Sequence, residues 1–158
     1  MSALQAIELF AGLRPDGQPI IERLPVKVLP DNTVQLVRSP AFVKGLAMGD
    51  TIRADSERRE FDIVQHSGNL CVRVFTRGDT APLAEKLAGP LAKLGGEIEQ
   101  ESPHLLVCCI HVSCGFSAIE AVFNDAIDAD SNWLYGNVYD PADGVTPLNW
   151  WQPLLQPE

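Results

Sequence analysis

The chain has 158 residues, is 46% hydrophobic and 21% charged, and carries a formal net charge of −9. That balance belongs to a globular chain rather than a disordered one, and no apolar run reaches the ~18 residues a transmembrane helix needs. Residues 1–93 hold all 12 Lys and Arg against 11 Asp and Glu, whereas residues 94–158 hold 10 acidic residues and no basic one, a field that repels nucleic acid and anionic membrane and attracts cationic partners.

The opening MSALQAIELFAG has no basic residue before its short apolar run and does not read as a signal peptide. A cytoplasmic protein is expected, with Cys71, Cys108, Cys109 and Cys114 reduced. Ala6–Ala11 alternates as a strand, and Arg14-Pro15-Asp16-Gly17 has turn chemistry. Ile20–Leu29 reads as a second strand. Pro25 inside it predicts an edge position or a bulge, because proline cannot donate to a ladder. Thr33–Arg38 follows as a strand. Phe42, Leu46 and Met48 are expected to anchor a compact turn or single helical turn, with Gly45 and Gly49 supplying unusual backbone angles. Thr51–Ala54 and Phe61–His66 are strands either side of the charged turn Ser56–Glu60. Five short strands with glycine corners predict a small barrel or a strongly curved meander over residues 1–68.

From residue 69 the rhythm changes. Leu70–Phe75 is a strand, and Thr80 is placed as the N-cap of a helix with the stripe Leu83, Leu87, Leu91, Leu94. Gly89-Pro90 within it predicts a kink or break. Glu97–Glu101 is a strand. His104–Cys114 is the longest unbroken apolar run and reads as the central strand. Ser117 and Glu120 have capping-box spacing at the start of a second helix, and Trp133–Asp140 is the last strand. The order β-α-β-β-α-β is that of the ferredoxin-like unit, which predicts sheet order 4-1-3-2 with both helices on one face of residues 69–140. Residues 141–158 form a Pro- and Trp-rich tail without regular structure, expected to dock through Trp150, Trp151, Leu154 and Leu155.

Several stretches resemble an uncharacterised bacterial family, domain of unknown function 4265, over roughly residues 24–140. They are Pro40-x-Phe42-x-x-Gly45-x-Ala47-x-Gly49-Asp50-x-Ile52-Arg53-Ala54, then Ser67-Gly68 leading into Val72-Arg73-Val74-Phe75, Leu94-Gly95-Gly96, and Trp133-x-Tyr135. The chain departs from the family pattern at Gly89-Pro90 and in its tail. The resemblance implies a bacterial source and a two-part layout, and no catalytic residue.

Strand parity gives the candidate site. If the helices cover the purely apolar faces, the opposite face carries Cys71, Arg73, Phe75, Cys109, His111, Trp133, Tyr135 and Tyr139. Such a face either packs on the first half, the tail or a second subunit, or forms a ligand pocket between the halves in which Arg73 holds an anion. Cys71, Cys109 and His111 are all metal-ligand types but lack familiar spacing and a fourth ligand, so no metal or cofactor is assigned. Cys109 and His111 stand roughly 6–7 Å apart along a strand, too far for direct proton transfer. Cys71 across from His111 is the pairing that geometry leaves open. Asp128–Asn132 begins like a calcium loop but lacks the glycine and the closing glutamate. The half carries no basic excess for RNA, and no phosphate-binding loop is present.

The reading is therefore a non-catalytic α+β binding module that meets an unknown protein or small ligand, or a second copy as a homodimer, through the helix-free sheet face. One alternative is an acidic inhibitor or immunity-type protein capping a basic partner. Another is a sensor or enzyme with a pocket between the halves.

Overall fold

Short runs of alternating apolar and polar residues become strands as far as residue 65. β1 (Leu4–Leu13), β2 (Pro19–Val28), β3 (Val34–Leu36), β4 (Thr51–Asp55) and β5 (Glu60–Gln65) follow one another in a computed structural model that describes residues 4–55 and 57–155. They lie side by side in chain order, each antiparallel to the last. Leu9, Leu24, Val26, Val34, Leu36 and Ile52 point inward and pack with Val43 and Leu46 of the β3–β4 connection. The sheet stays open, so no barrel closes. Its ends approach where the Phe10 N–H donates to the Arg59 carbonyl at 2.9 Å and where Arg59 lies 3.9 Å from Glu8, an exposed pair that adds little. Of the charged turn before β5, Ser56 lies outside the described residues.

β2 is the second of five strands, not an edge. Pro25 is tolerated because its carbonyl accepts from Val37 N–H at 3.1 Å just past the last β2–β3 rung. Its donor-free nitrogen faces the same way, where pairing stops. The bulge falls elsewhere, between Phe10 and Gly12 of β1. The β3–β4 connection contains no helical turn. Leu46 is buried in it, while Phe42 is exposed.

The second sheet is built from β6 (Asn69–Thr76), β7 (Glu97–Ser102), β8 (Leu105–His111) and β9 (Ser131–Tyr135), with α1 (Ala81–Lys93) and α2 (Phe116–Ala126) as crossovers. Its order is β7-β8-β6-β9, and all neighbours are antiparallel. One face presents Leu70, Val72, Val74, Leu106, Cys108 and Ile110. It buries them against Leu83, Leu87 and Leu91 of α1 and Ile119, Phe123 and Ala126 of α2. Both helices therefore lie on that face. No helix among the described residues is long and apolar enough to cross a membrane.

Several local expectations change. α1 runs through Gly89-Pro90, which sit on its exposed side near the C-terminus, where the carbonyl that Pro90 leaves unpaired can meet water. Thr80 precedes α1, but its hydroxyl donates to the Ser102 carbonyl at 2.6 Å; the Asp79 carboxylate takes the Ala81 N–H instead. Gly115, at φ 88°, precedes α2, and Ser117 lies inside the helix, so no capping box forms. The central strand stops at His111 and tightens into a 3-10 turn at Val112–Cys114. The last strand stops at Tyr135 rather than continuing to Asp140. In the tail, α3 (Gln152–Leu155) is a single helical turn. Trp151 enters the core, and Trp150 stacks on His66 with ring centroids 4.6 Å apart, whereas Leu154 and Leu155 remain exposed.

The two sheets meet at Ser67-Gly68-Asn69, where the Gly68 carbonyl accepts from Val112 N–H at 2.8 Å. Gly68 has φ +97°, and a Cβ there would sit 2.4 Å from His111 Nε2. Gly68→Ala should cost about 1–3 kcal/mol, the range for a strained left-handed residue, in a urea titration. Adding His111→Ala should recover the clash and leave the backbone strain. Full recovery, or none, would contradict this division.

Candidate functional site

The helix-free face of the second sheet is covered by the chain itself. Residues 39–50, SPAFVKGLAMGD, have few side chains able to satisfy their own backbone, so charged residues from both sheets do it for them. On one side Glu22 of β2, 9% exposed, accepts from the amides of Ala41 at 2.7 Å, Phe42 at 2.9 Å and Val43 at 2.9 Å. On the other side Arg73 of β6, 3% exposed, donates to the carbonyls of Pro40 at 3.2 Å, Phe42 at 3.4 Å and Val43. Amides thus face a carboxylate and carbonyls face a guanidinium, which are charge-assisted bonds on both flanks. Asp50 closes the far end by accepting from Ala47 N–H at 2.9 Å and Ser67 N–H at 2.8 Å. The Gly45 N–H donates to the Gly136 carbonyl at 2.8 Å, tying the segment to the end of β9. Ala47 then packs on Cys71 and Val107.

Of the eight residues predicted to converge, Cys71, Arg73 and Cys109 lie buried beneath this segment. Burial pushes the Cys71 thiol up to about 11 and raises that of Cys109 as well, with Glu99 adding to the rise of Cys109. Thiols held protonated in this way are poor nucleophiles and poor ligands. Cys71 instead donates toward the Pro40 carbonyl at 3.5 Å. His111 is half-buried beside Gly68, with its Nδ1 2.7 Å from the Ser113 hydroxyl. Among the described residues no group of three or more His, Cys, Asp or Glu comes together to hold a metal. Phe75 is exposed farther along β6, beside Arg77 and Asp130–Asn132.

Glu99 of β7 anchors the start of the segment by accepting from Ser39 N–H at 3.1 Å. Burial raises its carboxyl above the ordinary range, and the Ser39 hydrogen bonds offset only part of the rise. The folded state therefore binds the proton more tightly than the unfolded state, so stability falls as pH climbs from the ordinary carboxylate range through the folded value. Glu99→Gln, whose amide oxygen can still accept from Ser39, should remove that slope. Its urea midpoint should gain on the parent protein between about pH 4 and pH 7. An unchanged gap between the two proteins across that range would overturn the assignment.

Trp133 and Tyr135 belong to the other face. The register pairs Val72 with Tyr135, Arg73 with Leu134 and Val74 with Trp133, so the aromatics lie toward the helices and Leu134 shares the side of Arg73. Strand parity predicts Trp133 and Tyr135 on the helix-free face. The reverse holds because β9 is an edge, reached only by the flank of α2, and large rings with polar tips span that distance. Trp133 packs near Phe123 and donates through Nε1 to Asn124 at 2.8 Å. Tyr135 packs edge-on to Phe116 and donates to Glu120 Oε2 at 2.9 Å. Beyond β9, Asn137 turns inward, accepting from Cys71 N–H and donating to the Asn69 carbonyl, both at 2.9 Å. Tyr139 then enters a small hairpin, bridged to Pro147.

The result is an open groove of about 380 Å³ between β9, α2 and the turn at residues 139–144. Trp133, Tyr135 and Tyr139 line it, with Glu120, Asp140 and Lys44 as its charged groups. Both tyrosines of the chain are here. Burial, then the bond to Glu120, raises the Tyr135 hydroxyl far above its ordinary range. It therefore stays a donor that fixes one oxygen of Glu120. The predicted site thus divides: three residues under the covering segment, three aromatics in a groove, and Phe75 and His111 apart from both. Glu22, Asp50, Glu120 and Lys44 were missed. Glu120 drew attention only through its spacing from Ser117 and Asp50 only as a member of the Gly49-Asp50 motif, and no local pattern marks Glu22 or Lys44.

The family model described as a domain of unknown function (DUF4265) matches residues 22–134. No curated protein matches the chain. Among solved structures, a hypothetical protein from Neisseria gonorrhoeae is similar at 15% identity and a TM-score of 0.67, covering 86% of this chain and 94% of that one. That likeness concerns the fold alone.

Proposed function

The chain belongs to the family described as a domain of unknown function (DUF4265), and because that description carries no activity we propose from geometry that it is a non-catalytic binding module recognising its ligand in the groove along β9. The reading rests on one observation. Trp133, Tyr135 and Tyr139 converge on an open cavity with three charged side chains at its walls, which is the mixture of apolar surface and a few polar groups that binding sites use. The helix-free face first expected to do this is occupied by residues 39–50, whose bonds to Glu22 and Arg73 give that face a structural role. The strand order and the helix pair support a ferredoxin-like unit over residues 69–140. In this reading the described part of residues 1–68 forms a second subdomain that clamps onto it, and the tail walls the groove with Pro141 and Gly144 and docks by Trp151.

A fragment screen by amide and indole NMR tests the reading. Binders should shift the Trp133 indole signal, and Tyr139→Ala should weaken them by about tenfold, the loss of one good aromatic contact. Binders that leave Trp133 unmoved and collect elsewhere would reject it.

A further inference from the structure

We propose that the groove along β9 receives the cationic end of a lysine or arginine side chain presented by a partner protein, an inference that rests on the groove being the recognition surface. Trp133, Tyr135 and Tyr139 line one small volume, and clustered aromatic rings, through their electron-rich faces, are a recurrent way of holding an organic cation. Two carboxylates accompany them. Glu120 is oriented by Tyr135, which occupies Oε2, leaving Oε1 for a second donor. Asp140 spends Oδ1 on the Ala142 amide at 2.9 Å, leaving Oδ2. Lys44 is the one basic residue in the lining and is exposed, so its long stem can carry the ammonium away into water.

Two further observations favour a protein as the source of the cation. Among the described residues β9 pairs only with β6, so its outer edge is open to an extended segment running beside the groove. Residues 94–158, which build β9, α2 and the 139–144 turn, hold 10 acidic residues and no Lys or Arg, and a field of that sign steers a basic surface toward them. The cavity, about 380 Å³, lies at the lower end of the range for ligand pockets and is sufficient for one long side chain.

The test uses the full chain, isotopically labelled, with blocked tripeptides Ala-Lys-Ala, Ala-Arg-Ala, Ala-norleucine-Ala and Ala-Glu-Ala, and with tetramethylammonium. The lysine or arginine peptide should move the Trp133 indole signal and bind about tenfold or more tightly than the norleucine peptide, as one desolvated cation–aromatic contact with a carboxylate allows. Glu120→Gln keeps an acceptor for Tyr135 and should lose about the same factor; Tyr139→Leu, at a partly exposed site, should lose it with no change in melting temperature. If the norleucine or glutamate peptide moves Trp133 as strongly as the basic ones, the groove stands and the cation assignment falls. Tetramethylammonium binding as tightly as the basic peptides would remove the partner protein as the source. No response at Trp133 to any probe would remove the groove reading itself.

Discussion

Arg73→Met should destabilise the protein by about 3–4 kcal/mol, well above an average point substitution. Methionine reproduces the apolar stem as far as Nε and lacks the rest, so the loss isolates the guanidinium. Three carbonyls, of Pro40, Phe42 and Val43, lose charge-assisted donors, worth about 1.5–3 kcal/mol each before any relaxation. Removing a buried charge returns several kcal/mol of desolvation, which is why the net lies below the sum. Arg73→Lys should fall between, since a point charge cannot reach three acceptors in a fork. The local signature is as specific as the global one. Residues 39–50 should loosen first, so exchange of the Gly45 and Ala47 amides should accelerate, and the Cys71 thiol beneath them should become alkylatable well before global unfolding. A variant within about 1 kcal/mol of the parent, with Cys71 still protected, would mean that the covering segment is held by packing rather than by Arg73.

How much of this was legible in the sequence follows from the range of each interaction. The unbroken apolar run around Leu106–Ile110, the alternation in Leu70–Val74 and the stripe Leu83, Leu87, Leu91 found the second core because these signals are local and act in one direction: apolar side chains go where the helices are. The same rule failed at β9. An edge strand is covered on one side by α2 and bounded on the other by the covering segment, so neither face is simply wet, and Leu134 could be outvoted by Trp133 and Tyr135, which bury more surface and keep hydrogen-bond partners at their tips. Caps failed for a related reason. Thr80 had the right type and place, but Ser102, 22 residues away, offered its hydroxyl a better acceptor. The covering segment was the least legible of all. Its motif was visible as a pattern of glycines and small residues, yet apart from Asp50 what fixes it are side chains 19 to 60 residues away, and no local preference encodes those pairings.

Glu22→Ala, the counterpart of Arg73→Met on the opposite flank, should cost about 3 kcal/mol, since orphaned amides carry about 1–3 kcal/mol each when they stay dry. The amides of Ala41, Phe42 and Val43 all lose their acceptor, but Phe42 is exposed, so water can reach part of the site once the carboxylate is gone. Glu22→Gln should be milder, because one amide oxygen still accepts while its NH2 confronts a neighbouring N–H. The decisive measurement is the double variant with Arg73→Met. Glu22 and Arg73 share two peptide units, Pro40–Ala41 and Phe42–Val43, each held from opposite sides, so once one grip is released the other has less ordered backbone left to hold. The two losses should therefore sum to less than additive, with a coupling of about 1–2 kcal/mol, within the range for residues sharing one network. Strict additivity would mean that each charge acts on its own sheet, and that residues 39–50 do not transmit force between the two. A coupling of that size instead makes the segment the mechanical link between the sheets. It also reaches the groove, because Gly45 of the same segment binds the Gly136 carbonyl at the end of β9, and loosening either grip should therefore broaden the Trp133 signal without any substitution in the groove.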